Sequence, residues 1–108
     1  MNKFESELKK GNFIISECIN CKEIVWPPSN YCNKCFGHVK WRKPSEIGKL
    51  IEFSKKEKVN FCIAEFEERV RIMGTLIGET ISPKIGQGVK LKKCGLKDGQ
   101  FNFTMALI

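Results

Sequence analysis

The sequence predicts a mainly β protein in which a short N-terminal helix and a cross-linked ribbon precede a five-stranded antiparallel barrel. Three observations carry that expectation. Two Cys-x-x-Cys pairs, Cys18-Ile-Asn-Cys21 and Cys32-Asn-Lys-Cys35, stand ten residues apart. Beyond Ser45 the pattern changes to short alternating apolar and polar runs with turn residues between them. At 108 residues the chain suits one compact domain, or a small module joined to a slightly larger barrel.

Residues Asn2 to Lys10 read as an amphipathic helix, with Phe4 and Leu8 four apart on one face and Gly11 ending it. So short a helix is unstable alone, so Phe4 and Leu8 must dock on the protein's own core or on a partner. Phe13-Ile14-Ile15 reads as the strand into the first cysteine pair, and Glu23-Ile24-Val25-Trp26 as the strand out of it. Pro27-Pro28 stops that strand, because proline cannot donate to a ladder. Gly37 is expected to supply the relaxed backbone of the second turn, and Val39-Lys40-Trp41-Arg42 is the exit strand. Trp26 and Trp41 read as packing residues around the hairpins.

The two cysteine pairs have the spacing of a tetrahedral Zn²⁺ site, each making a tight turn that points two sulfurs inward. Four thiolates close the coordination shell, so the zinc is structural, with Cys18, Cys21, Cys32 and Cys35 as ligands. A redox pair would be expected beside a strand-helix-strand unit, which is missing here. A disulfide framework would be expected in a secreted chain, and the start Met1-Asn2-Lys3-Phe4-Glu5 carries no apolar signal segment. His38 could replace a sulfur, yet with four spaced cysteines present it reads as a surface residue.

Lys43-Pro44-Ser45 is the expected boundary, giving a helix-and-ribbon part over 1–44 and a barrel part over 45–108. The barrel strands are expected near Gly48-Ser54, Lys58-Glu65 and Val70-Ile77, then at Val89-Lys92 and Phe101-Met105. Adjacent Leu50 and Ile51 mark a possible change of face. Val70, Ile72 and Leu76 alternate with Arg71 and Met73, and Gly74 and Gly78 suggest the bulge or bend by which a small barrel closes. Thr80 to Ile85 reads as a connection around Pro83 with room for one helical turn. Gly86-Gln87-Gly88 lacks the rest of a phosphate-binding fingerprint and reads as a flexible lead-in to the next strand, where Val89 and Leu91 point inside and Lys90 and Lys92 to water. Gly95 to Gly99 is the expected turn before the last strand. Five strands with a connection between the third and fourth fit the OB-fold, a partly open Greek-key barrel.

The net charge of +7, from 19 basic against 12 acidic residues, permits a polyanionic partner without requiring one. Residues 1–44 hold 8 basic and 4 acidic residues and residues 45–108 hold 11 and 8, so no single basic block dominates. No apolar run is long enough to cross a membrane, and the chain reads as soluble and cytoplasmic. Cys62 and Cys94 read as small buried hydrophobes, with no histidine near either in sequence to activate a thiol. No acid, base and nucleophile converge, so the chain is not expected to be an enzyme by itself.

The combination resembles a known family. An N-terminal helix ending at Gly11, Pro27-Pro28 between the cysteine pairs, Trp41 after the second pair, and an Ile85-Gly86-Gln87-Gly88-Val89 step before the fourth barrel strand look like the acyl-CoA-associated zinc-ribbon OB-fold proteins, a domain long catalogued as of unknown function. The resemblance runs from Phe4 to about Phe103. In place of the family's usual arginine after the prolines stands Ser29, and in place of its usual knuckle proline stands Asn33, which leaves the metal site intact. The resemblance implies a rubredoxin-like zinc ribbon and a non-catalytic partner of thiolase-fold or acyl-CoA synthase subunits, such as acetoacetyl-CoA thiolase and 3-hydroxy-3-methylglutaryl-CoA synthase. It also implies contact with acyl-CoA, for which Lys55, Lys58, Arg69 and Arg71 are the candidates. The competing reading is a single-stranded nucleic-acid-binding protein, using Phe53, Phe61 and Phe66 interleaved with those same basic residues.

Overall fold

The computed structural model describes residues 3–77 and 82–108. Helix α1 spans Lys3–Lys9 and buries Phe4 and Leu8, the two residues spaced to share a face. Its expected first residue, Asn2, lies outside the described residues. The helix ends on Gly11 at φ 89°, where the Gly11 and Asn12 N–H groups donate to the Leu8 and Glu7 carbonyls at 2.9 Å each. That is a Schellman motif, and it needs a residue at ease in the left-handed region.

The ribbon is a three-stranded antiparallel sheet of β1 (Ile15–Cys18), β2 (Ile24–Val25) and β3 (Val39–Arg42), in the order β2-β1-β3. Strand β1 begins two residues later than expected. Phe13 is buried in the main core and its ring meets those of Phe4, Trp26, Phe66 and Phe103 edge-on at 5.3–6.5 Å. Packing rather than ladder formation thus fixes Phe13. Trp26 likewise falls outside β2, packed against the core just before Pro27.

Five strands then close a barrel: β4 (Ile47–Lys56), β5 (Val59–Phe66), β6 (Val70–Ile77), β7 (Gly88–Lys97) and β8 (Gln100–Leu107), in the order β4-β5-β6-β8-β7. Strand β7 returns to β4 through Ile47 opposite Lys90, and β6 runs parallel to β8. This is the expected OB-type barrel, with one departure from an all-antiparallel sheet: the β6–β8 pair is parallel. The register shifts between Leu50 and Glu52, so the face changes at Ile51 as the adjacent apolar pair suggests. Val70, Ile72 and Leu76 are buried, and Arg71 and Met73 face out.

Three expectations need correction. Gly74 causes no register shift in β6; a Cβ there would crowd Phe103 and the Met105 side chain, so glycine serves the close approach of β8. Gly78 lies outside the described residues. Gly95 is inside β7, and the chain turns at Asp98-Gly99, with both φ angles positive (53° and 77°). Asp-Gly is a strong hairpin dipeptide, and it was present to be read. Of the Thr80–Ile85 connection, Thr80 and Ile81 lie outside the described residues, and Ser82 to Gln87 form no helical turn.

One core runs through helix, ribbon and barrel. Phe4, Leu8, Phe13 and Ile15 join Leu50, Ala64, Phe66, Val70, Ile72, Leu76, Val89, Phe103 and Met105 in a single buried cluster. Gly48 makes room for it, since a Cβ there would come within 2.7 Å of the Phe66 ring. The ribbon's own cluster is far smaller: Cys18, Val25 and Cys32, with Val39 against them.

Candidate metal centre

Each cysteine pair sits in the same local structure. In the first, the Lys22 N–H donates to the Cys18 carbonyl at 3.0 Å and the Cys18 N–H to the Glu23 carbonyl at 2.8 Å. In the second, the Phe36 N–H donates to the Cys32 carbonyl at 3.0 Å and the Cys32 N–H to the Gly37 carbonyl at 2.9 Å. Lys22 and Phe36 occupy the equivalent left-handed position, with φ of 63° and 60°. The expectation that Gly37 supplies the relaxed backbone is therefore corrected: Phe36 does. Glycine at 37 answers a need for space, because a Cβ would lie 2.5 Å from Asn20 Nδ2 and 3.2 Å from Cys35 Sγ.

The two turns bring Cys18, Cys21, Cys32 and Cys35 together with all four Sγ atoms within 4.8 Å of one another. Cys18 to Cys35 is 3.4 Å, Cys21 to Cys32 is 3.6 Å and Cys21 to Cys35 is 3.8 Å. A tetrahedral zinc with Zn–S bonds of about 2.3 Å requires sulfur separations of about 3.8 Å, so the cluster fits the ion. Electrostatics agree. The Cys21 N–H, 3.4 Å from Cys18 Sγ, holds that thiol down at about 6, whereas the neighbouring Cys18 pushes Cys21 up to about 12. Cys32 is lowered by the N–H groups of Cys35 and Lys34. At Cys35 the Gly37 N–H lowers the pKa but is outweighed by Cys18 and by burial, leaving it raised. Crowded sulfurs resist becoming four anions together, and a divalent cation removes that conflict. The donor set is that of a structural Zn²⁺ site, with four soft sulfurs.

His38 stays out of the cluster. It is exposed, bridges to Tyr31 with ring centroids 5.3 Å apart, and its carbonyl accepts from the Ile19 N–H. Lys34 Nζ lies 2.6 Å from Glu23 Oε2, an ion pair between the two knuckles.

The ribbon meets the barrel at Arg42. Its guanidinium donates to Glu17 Oε1 at 2.9 Å and to both Glu67 oxygens at 3.2 and 2.9 Å, and the Ser45 N–H and hydroxyl donate to Glu67 Oε2 at 2.7 Å. These donors, Arg42 first, hold the Glu67 carboxyl down at about 2.

The basic candidates are not brought to one place. Lys55 lies near the end of β4 and Lys58 in the β4–β5 turn, whereas Arg69 lies in the β5–β6 turn and Arg71 follows it on β6. The two turns are at opposite ends of β5, roughly 20 Å apart for a strand of this length. Arg71 is already paired with Glu65 at 2.8 Å. Of the three aromatics, Phe53 and Phe61 are 43% and 38% exposed, while Phe66 is 1% exposed and belongs to the core. Burial pushes the Cys62 and Cys94 thiols up, the reverse of what activates a nucleophile.

A cleft of about 650 Å³ that the sequence did not disclose opens where helix, ribbon and barrel meet, lined chiefly by Phe4, Trp26, Pro27, Met73, Phe101 and Phe103. Its one advance signal was the proline pair, which carries the loop between the knuckles past the helix. No helix among the described residues is long and apolar enough to cross a membrane.

Comparison with known proteins places these features. Residues 6–40 match the family described as ChsH2, rubredoxin-like zinc ribbon domain. Among solved structures, a chain of the "Ltp2-ChsH2(DUF35) aldolase" superposes with a TM-score of 0.72 at 18% identity, covering 99% of this chain and 96% of that one. A DUF35-family protein of unknown function from Sulfolobus solfataricus superposes with a TM-score of 0.58, also at 18% identity, over 94% of this chain and 81% of that one. No curated protein matches the chain. Residues 6–40 are therefore similar to the ChsH2 rubredoxin-like zinc ribbon, as the resemblance read from the sequence implies, and the whole chain shares the ribbon-and-barrel fold of the DUF35 structures.

Proposed function

We propose that the chain is an accessory subunit of an acyl-CoA-processing enzyme complex, of the thiolase or 3-hydroxy-3-methylglutaryl-CoA synthase type, with no catalytic step of its own. Cys18, Cys21, Cys32 and Cys35 hold its structural zinc. The observation that carries this reading is the pairing of a ChsH2-type ribbon with a fold that matches, over nearly its full length, a chain from a structure described as an Ltp2-ChsH2 aldolase. The zinc supplies no chemistry to a substrate; it cross-links a ribbon whose own core is three buried residues with Val39 against them. In this reading residues 1–44 are the docking part and residues 45–108 the barrel that carries it, working in the cytoplasm. The 650 Å³ apolar cleft supports such a role, offering a place for a partner's side chains or for the apolar part of an acyl-CoA.

A pull-down of the tagged protein from its native cells, with nuclease added and partners identified by mass spectrometry, tests this. Thiolase-fold or acyl-CoA synthase subunits that survive nuclease are expected. Recovery of nucleic-acid-binding proteins alone, lost with nuclease, would instead favour the single-stranded nucleic-acid reading. That reading keeps Phe53 and Phe61 beside Lys55 and Lys58, but it loses Phe66 to the core and Arg71 to its ion pair.

A further inference from the structure

Strict alternation along Val89-Lys90-Leu91-Lys92 would send Lys93 to the inner side of β7. The structure departs from it. The register against β8 shifts between Leu91 and Lys93, leaving Lys92 without an opposite residue, and both Lys92 and Lys93 are exposed. Bulges of this kind re-aim side chains, and they recur beside functional sites. The bulged stretch Lys90 to Cys94 lines one cleft of about 260 Å³, to which Lys90, Lys92 and Lys93 bring three positive charges and Lys43 of the ribbon-barrel linker a fourth. Among the described residues, Glu46 is the one carboxylate in the lining. Among the described residues none of the four lysines is in an ion pair, whereas Arg42, Arg71, Lys34 and Lys40 are. Four like charges gathered round a small concavity repel one another, and a bound anion reverses the sign of that interaction.

We propose that this cleft is a binding site for a small phosphate-bearing anion of the diphosphate class. The four lysines are more charge than one phosphate group needs, and the cleft, bounded by the linker on one side and β7 on the other, suits a compact group better than a continuous nucleic-acid backbone. The site goes beyond the accessory-subunit reading and does not rest on it, because it is a property of this chain alone. It is also distinct from the dispersed candidates Lys55, Lys58, Arg69 and Arg71, none of which lines it.

The test is an NMR titration of the full, zinc-loaded chain at low salt with pyrophosphate, ADP and oligothymidylate as probes. Pyrophosphate and ADP are expected to give saturable amide shifts centred on Lys43–Glu46 and Lys90–Cys94. The double variant Lys92→Ala/Lys93→Ala should weaken both by about tenfold or more, as loss of charge-assisted hydrogen bonds implies. Lys55→Ala/Lys58→Ala should leave both affinities unchanged. Spectra of the free variants, superposable on the parent outside the substituted positions, show that each is folded. Absence of saturable shifts at the cleft, equal weakening by both double variants, or tighter binding of oligothymidylate than of ADP would overturn the proposal. A failed pull-down with intact pyrophosphate binding would count against the accessory role alone.

Discussion

Arg42 reaches Glu17 on β1 and Glu67 in the β5–β6 turn with one guanidinium, so a single side chain joins the sheet that carries the metal to the barrel. The geometry toward Glu67 is two-pronged, which is what arginine offers and lysine does not. Glu67 has its folded pKa lowered to about 2 from 4.5. A lowered pKa means that the contribution is fully present above pH 4.5 and is lost as pH falls through about 2. With Arg42 a third exposed, the pair is worth about 1–2 kcal/mol once solvent screening is allowed for. Glu67→Gln should therefore lower stability by about that amount at neutral pH, with the gap closing below pH 4.5. Urea midpoints of both proteins across that range check this, and because acid releases zinc from both alike, the difference between them is the quantity to follow. A gap that stays constant down to pH 2 would show that Glu67 acts through packing instead.

At the scale of elements, the knuckles and the β5–β6 turn show where local sequence and local backbone agree and where they do not. Spacing alone located the four thiols, because each Cys-x-x-Cys turn is closed by contacts within five residues. The same locality made α1 and most barrel strands readable, since burial repeats at fixed periods. What was not legible depends on pairing between distant segments: the Lys92 bulge is set by β8, and Phe13 is drawn from the strand by rings from four other segments. Glu67 and Glu68, at φ 56° and 59°, form the centre of a turn that demands two left-handed residues, and neither is glycine. Glu68→Gly should raise stability by about 0.5–1 kcal/mol, relief of the left-handed cost outweighing the added freedom of the unfolded chain. Thermal melting reads this directly, and an unchanged or lower midpoint would refute it. Cys21→Ser should disorder the knuckles, roughly residues 18–38, while the helix and Phe13 stay on the barrel core to which they are packed. Amide spectra of the variant after metal analysis test the claim. A fully ordered ribbon without zinc would contradict it.

On the whole-molecule scale, the sequence suggests a boundary at residue 44, whereas the packing runs across it. The linker Lys43-Pro44-Ser45 separates two sheets, but Phe4, Leu8, Phe13 and Ile15 lie in the same buried cluster as β4 to β8. A ribbon held in this way keeps a fixed orientation, and a fixed, metal-braced projection is what an accessory subunit needs if it is to present one face to an enzyme. The knuckle carries Phe36, 79% exposed in a left-handed backbone position, and the apolar cleft lies beside the proline corner. Native mass spectrometry of the protein purified by affinity from its own cells after nuclease treatment weighs the zinc and the partner together. The expected result is an assembly in which each copy of this chain carries one zinc and is bound to a larger acyl-CoA-enzyme subunit. A zinc-free chain, or a zinc-loaded chain recovered without any enzyme subunit, would contradict it.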